Sequence, residues 1–468
     1  MKSLIPVFAL AAAASAAVVD LANFNGTTAK GDTVRVSSSS VLRIDEAIAL
    51  NLPEATLLVS AKDGVVFGSN GSISLSGNSA RLVLDADADA DGKGSVACDA
   101  GRACVSVAGK GAIAKIFAAG DLSESVATAG NGASARVYSN LYSAAELAAT
   151  AARVNAENAP ERGWAFALAK DVDMSETDFE PMRGALSADG KSRAGFSGAF
   201  DGRGHRVSGL SLRLPSEENV GLFGLTANAT IERIAVVDAE VSGWAGVGAL
   251  VGYLGAGSVV RECLSSGRVI GNYQVGGLVG EAYRAALSDV RSEAKVAGTR
   301  FVGGTVGFVG LKSSVERALS TGDVEGDEVV GAVAGRNRFG AISGARFRSS
   351  GDGVGSCLQG ECEAVALGES ALTDESNFPG WAFGKVWAMG AAHPELAAFG
   401  PVAKAANDSP RRKENSDSDA DLWETVPEGM HWLIVRDASG KTVGKKAVQP
   451  GQRILRALFD GKSVRFAK

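Results

Sequence analysis

Residues Tyr273–Tyr283 read YQVGGLVGEAY, and the hexapeptide inside them, Val275-Gly276-Gly277-Leu278-Val279-Gly280, is one of five near-copies in the chain. The others are VGLFG from Val220, VGALVG from Val247, VGGTVG from Val302 and VGAVAG from Val330. Their closing glycines are Gly224, Gly252, Gly280, Gly307 and Gly335, so the steps are 28, 28, 27 and 28 residues. A fixed period of this size marks a solenoid, whose unit is too small to bury its own apolar face and must stack on its neighbours.

Within one period the apolar residues fall in short bursts separated by Gly, Ser, Asn and Asp. In VGALVGYLGAGSVVRECLSSGRVIGN the strand candidates are Val247–Val251, Val259–Leu264 and Arg268–Ile270. Alternation and β-branched residues favour strand, and no burst holds a helical period. Three short strands per turn predict an all-β fold, a right-handed parallel β-helix with coils about 4.8 Å apart. The glycines are expected to supply positive φ at corners and room where coils pack closely. The structural reading outweighs a phosphate loop, because neither Lys-Ser nor Lys-Thr follows them and no strand–helix context surrounds them.

Several segments together carry a family resemblance. VGGLVG, a short strand and then S-x-G-x-V-x-G are similar to the GLUG repeat of bacterial secreted and cell-surface, adhesin-like proteins. Tyr142–Ser175 resembles the helix and strand that precede such arrays. FSGAFDGRGHRVSGLSL (Phe196–Leu212) resembles the segment after them, and Phe378–Gly400 the aromatic closing segment. The resemblance covers roughly residues 140–400. It implies a β-helix that binds an extracellular glycan, a matrix, a surface protein or another cell without catalysis. The alternative is a carbohydrate-active β-helix, a polysaccharide lyase or hydrolase.

The organisation follows. Residues 1–17 read as a signal peptide, from Lys2, an apolar run and Ala14-Ser15-Ala16. Residues 18–138 form a β-rich cap or solenoid region. The GLUG-type β-helix occupies 139–401, with repeats over about 220–353 and a closing segment at 378–400. Ser143 and Glu146 make a capping box for its one helix, whose apolar stripe contains Leu147 and Val154. A polar linker spans 402–422, with Arg411-Arg412-Lys413 a solvated charge cluster. A small antiparallel β module covers 423–468, a candidate sorting tail that contacts outer-surface anchoring machinery. These features predict a secreted, extracellular or bacterial cell-surface protein.

The chain has 468 residues, 60 of them Gly, and a net charge of −6 with no basic stripe, which argues against nucleic-acid binding. No run of about 18 apolar residues follows the leader, so no transmembrane segment is expected. Five cysteines fit an oxidising compartment. Cys98 with Cys104, and Cys357 with Cys362, can each close a local loop. Zinc competes for them, but the chain holds three histidines, His205, His393 and His431. Cys263 reads as a buried, inert thiol.

Candidate chemistry is sparse. Asp85, Asp87, Asp89 and Asp91 precede Gly92 at alternate positions, as in a Ca²⁺ loop, but the twelfth position from Asp87 is Cys98 rather than Glu. The favoured reading is one solvated face of an extended strand. Asp201 and His205 are the nearest thing to an acid–base pair, and the competing reading is a tight turn. Glu262, Arg291, Glu293, Arg300 and Glu316 are scattered over the coils, and neither a nucleophile elbow nor His-Glu-x-x-His occurs. No catalytic residue and no cofactor are assigned.

Overall fold

A computed structural model describes residues 17–18, 31, 33–99, 102–120, 127–187, 192–348, 351–400, 423–436, 442–450, 453–455 and 463–467. The leader and the linker expected from the sequence lie outside these residues, apart from Ala17. The chain folds as an all-β parallel β-solenoid and divides into two compact units. Unit 1 comprises residues 1–142 and 165–170, and unit 2 comprises 143–164 and 171–468.

In unit 1 the strands Thr33–Ser38, Thr56–Ala61, Arg81–Asp85, Ile113–Ala118, Ser134–Leu141 and Ala165–Leu168 stack in parallel. A second sheet stacks Ala47–Asn51, Ser72–Ser76, Val105–Ala108 and Ala127–Gly130. Alternate residues such as Leu57, Val59, Leu82, Leu84, Ile73 and Leu75 point inward and are buried. The Cys98–Cys104 disulfide closes a loop in this unit.

Unit 2 carries the regular repeat. Its first sheet stacks Ala199–Asp201, Thr230–Glu232, the first part of Val259–Gly276, Ala286–Ser292, Ser314–Ser320, Ala341–Phe347 and Glu361–Ala366. The second stacks Ser211–Val220, Ala235–Val247, the rest of Val259–Gly276, Lys295–Gly303 and Val324–Gly331. The third stacks Phe223–Thr226, Val251–Leu254, Val279–Ala282, Val306–Val309, Ala334–Arg338 and Val354–Leu358. Outside the stack lies the helix Ala144–Asn155, where Ser143 Oγ accepts from the Glu146 N–H at 3.2 Å and Leu147 and Val154 are buried.

The hexapeptide straddles a corner rather than forming the single strand Val247–Val251 expected from its apolar residues. Its first valine ends a strand of the second sheet and the residue four positions on opens one of the third, as Val247 and Val251 do. The first-position valines fall in register, Val220 on Val247 on Val275 on Val302 on Val330. The first four are fully buried, contributing about 2 kcal/mol each by removal from water.

The closing glycines do not turn the corner either. Positive φ falls on other residues, in columns: Asn219, Gly246, Gln274, Phe301 and Val329 form one, and Arg233, Glu262, Asp289, Arg317 and Gly344 another. The closing glycines instead permit contact. A Cβ on Gly280 would lie 2.3 Å from Val247 N and 2.4 Å from the Gly246 carbonyl carbon. On Gly307 it would lie 2.4 Å from Gln274 C and Val275 N, and on Gly335 2.4 Å from Phe301 C and Val302 N. Gly252, Gly280, Gly307 and Gly335 therefore each rest on the peptide that joins the left-handed residue to the first valine of the preceding coil, while Gly224 of the first coil packs against Pro181 and Arg183.

Two substitutions should move stability in opposite directions. Gly280→Ala drives a methyl into backbone and should cost about 2–4 kcal/mol. Val329→Asn replaces a β-branched residue at φ 58° with one that tolerates that region, as Asn219 does in the same column, and should gain about 0.5–1 kcal/mol. Urea unfolding of the two variants measures both.

Candidate functional site

The acidic loop does not share one solvated face. The strand ends at Asp85, which is buried, and Asp87 turns inward with 1% of its surface exposed. Asp87 accepts from the Gly92 and Gly94 N–H groups, each at 3.2 Å, and from the Tyr142 hydroxyl. Asp89 and Asp91 remain outside, and Asp91 pairs with Lys93 at 2.6 Å. The carboxylate oxygens of Asp87, Asp89 and Asp91 approach within 4.8 Å of one another. Asp87 thus organises a turn. Its replacement by Ala should cost about 2 kcal/mol because three donors lose their acceptor. Asp89→Ala should change urea stability by less than about 0.5 kcal/mol.

Asp201 and His205 are not brought together. Asp201 is fully buried, and both its oxygens accept from Arg233, through Nε at 3.0 Å and a terminal nitrogen. It also accepts from the Arg203 N–H at 2.9 Å. His205 Nδ1 lies 3.1 Å from Asp171 Oδ1, and burial lowers its pKa against the opposing pull of that carboxylate. This is the tight-turn reading.

Most of the other charged candidates stand along the first sheet, while Arg300 stands on the second. Glu232 accepts from Arg261 Nε at 2.7 Å, and Asp289 accepts from Arg317 at 2.7 and 2.9 Å. Glu262 occupies a left-handed position, and burial raises its pKa. Glu316 pairs with Arg317 at 3.2 Å and Arg300 with Glu328 at 3.1 Å. Cys263 is buried, donates to the Arg261 carbonyl at 3.2 Å and has its thiol pKa pushed up by that burial.

A strap covers this sheet. The closing segment does not stack as a further coil; it runs lengthwise back across the array. Arg346 Nε donates to the Asn377 carbonyl at 2.8 Å, Trp381 Nε1 to the Gly344 carbonyl at 3.1 Å and Trp387 Nε1 to Asp289 at 2.9 Å. Farther along, His393 Nε2 lies 3.1 Å from Glu293, and Arg206 donates to the Phe399 carbonyl at 3.2 Å. Phe378, Trp381, Trp387, Leu396 and Phe399 pack with Ala235, Leu264 and Leu319 of the coils. Burial alone would raise the Glu293 pKa, but the His393 hydrogen bond and the Arg291 charge outweigh it and hold the carboxyl at about 2. A depressed carboxyl stabilises above its unfolded value, near 4, and that contribution is lost as pH falls towards 2. Glu293→Gln should lower stability by on the order of 2 kcal/mol at pH 7, allowing for partial exposure, with the gap to wild type narrowing below about pH 5 and closing only towards pH 2 in thermal melts.

The second sheet is also covered. Val426, Leu433, Val448 and Ile454 of the C-terminal module pack with Trp244 and Ile270, with Tyr273 and Ala297 alongside. The module's strands Trp432–Arg436, Thr442–Ala447 and Ser463–Ala467 are antiparallel, as the alternation implied.

The third sheet has no residue in either of these two clusters. Its outward column runs Leu225, Tyr253, Glu281, Phe308, Arg336 and Ser356 in register, all part-exposed. Glu281 has no ion-pair or hydrogen-bond partner among the described residues, and burial alone pushes its pKa up to about 7. Burial, with the Glu281 charge adding, holds the Tyr253 phenol at about 12. Phe301 stacks near Phe308, 5.7 Å between centroids, with Arg300 and Arg336 guanidinium groups 5.0 and 5.1 Å from its ring centre. Sequence reading missed this column because its members are one period apart and chemically unlike. The period itself was the available signal, since positions two past each opening residue of the third sheet share one outward row.

No protein-family model matches the chain. Over 174 aligned residues, 34% of the chain, it is 31% identical to Halomucin of Haloquadratum walsbyi, and it spans about 2% of that protein's length. Among solved structures it is similar to a candidate immunoglobulin A1 protease from Bacteroides ovatus. The TM-score is 0.41 and the identity 16%, covering 56% of this chain and 92% of that one. Among the described residues no helix is long and apolar enough to cross a membrane.

Proposed function

We propose that this protein is a secreted or surface-displayed, adhesin-like β-solenoid of the GLUG type, which binds an extracellular glycan, matrix or cell surface through a solenoid face and does not catalyse. The observation that carries this reading is the unequal treatment of the three sheets of unit 2. The strap packs on the first and the C-terminal module on the second, while the third turns rings, a carboxyl and a guanidinium outward. Part-exposed rings aligned in one row, in a chain with only 6% aromatic residues, support a binding role for this sheet.

The charge arrangement supports display over hydrolysis. A glycosidase needs two carboxyl groups about 5–10 Å apart with sugar between them. Here Asp201, Glu232 and Asp289 are each held by an arginine. A shallow depression beside Lys312 and Phe339 offers one carboxylate, Glu361. Two local disulfides, with S atoms of Cys98 and Cys104 and of Cys357 and Cys362 joined, fit an oxidising exterior. Partial similarity to Halomucin is a further support. The docked C-terminal module is a candidate contact for anchoring machinery.

The test is a glycan array probed with purified protein, with the same glycans assayed for new reducing ends or unsaturated products. Retention without turnover is expected. Turnover would replace this reading with the carbohydrate-active one.

A further inference from the structure

The outward column of the third sheet combines three properties. First, its rings lie along the sheet. Tyr253 Cε1 would stand 3.3 Å from a Cβ on Gly255, and Phe308 Cε1 3.3 Å from one on Gly310, so both rings lie close over the sheet at positions where glycine leaves them room. Second, Tyr253, Glu281, Phe308 and Arg336 follow one another on successive coils, about 4.8 Å apart, so the two rings are separated by roughly 10 Å with a carboxyl between them. Third, two ionisable groups on it lack ionic partners among the described residues. Glu281 is part-buried without one, and Arg336 makes no ion pair while its Nε is buried without an acceptor.

Each property selects ligand chemistry. The C–H face of a pyranose packs on the electron-rich face of an aromatic ring. One coil repeat is close to the length of one sugar in an extended chain, so successive coils address successive residues. A desolvated carboxyl offers a hydrogen bond to a hydroxyl, and a guanidinium left unpaired favours a planar carboxylate bound bidentately. We propose that Tyr253, Glu281, Phe308 and Arg336 form a binding row for an extended, uronic-acid-bearing polysaccharide. Sugar faces stack on Tyr253 and Phe308, Glu281 bonds hydroxyls, and Arg336 takes the sugar carboxylate. Phe301, held between Arg300 and Arg336, positions the Arg336 guanidinium. The inference rests on the display reading and narrows it to one face and one ligand class.

The test is native affinity electrophoresis of the full chain in gels containing polygalacturonate, with hydroxyethylcellulose as the neutral polymer. The expected result is retardation by polygalacturonate well above that by the neutral polymer. Tyr253→Ala, Phe308→Ala and Arg336→Gln should each weaken it about tenfold, with Arg336→Lys intermediate and the corner variant Lys312→Ala unchanged. These side chains point outward, so equal melting temperatures are expected. A variant that melts early is replaced by Phe308→Leu or Tyr253→Leu, which keep the apolar volume and lose the ring face. Retardation unaffected by the column variants would overturn the row while leaving display intact on another face. Stronger retardation by the neutral polymer, indifferent to Arg336→Gln, would overturn the acidic ligand class. No retardation by either polymer would also sink the row, and the glycan array separately decides whether the display reading falls with it.

Discussion

The array depends on one close approach. Each coil sets a glycine directly on a peptide group of the coil before it, at a spot where a methyl group has no space. That contact fixes the register. It places the buried valines one above another and lets the neighbouring residue take a left-handed conformation, so the backbone can leave one sheet and enter the next. The 27–28-residue step is the length of chain needed to return to that spot. Variation elsewhere in the unit is cheap by comparison, which is why the left-handed column accepts Asn, Gly, Gln, Phe and even Val.

Stacking leaves each sheet with an outward surface, and the chain treats the surfaces differently. Buried charges on the first sheet are tolerable because Asp201, Glu232 and Asp289 each find an arginine, and Trp387 of the strap donates its N–H group to Asp289 in the same network. The second sheet buries Trp244 and Ile270 under aliphatic residues of the C-terminal module. The third keeps its rings part-exposed. The proposed sugar-binding row lies there, on the sheet that neither the strap cluster nor the C-terminal module cluster includes.

The fold was legible because periodicity is a one-dimensional signal. Five glycines at constant spacing announce stacked coils whatever the intervening residues do. The N-cap at Ser143 was local and equally readable. The roles of individual residues were less so. The closing glycines looked like turn formers, yet positive φ falls on residues such as Gln274 and Phe301, whose types give no hint of it. Asp87 looked like one of four equivalent carboxylates, but the chain leaves the strand at Asp85 and turns it inward towards Tyr142, 55 positions later in the sequence. The lengthwise path of residues 377–399 depends on contacts such as Trp387 with Asp289, which are 98 positions apart and carry no spacing rule.

That lengthwise path changes how unit 2 comes apart. A solenoid whose coils touch only their neighbours unfolds piecemeal, each terminal coil fraying at the cost of a single interface. Here one segment is fastened to coils near Arg346, Asp289, Glu293 and Arg206 in turn. The last coil cannot peel away without releasing a segment that also grips the first. Fraying is thereby coupled to the whole array, and mechanical load applied along the stack is shared among coils instead of falling on the outermost one.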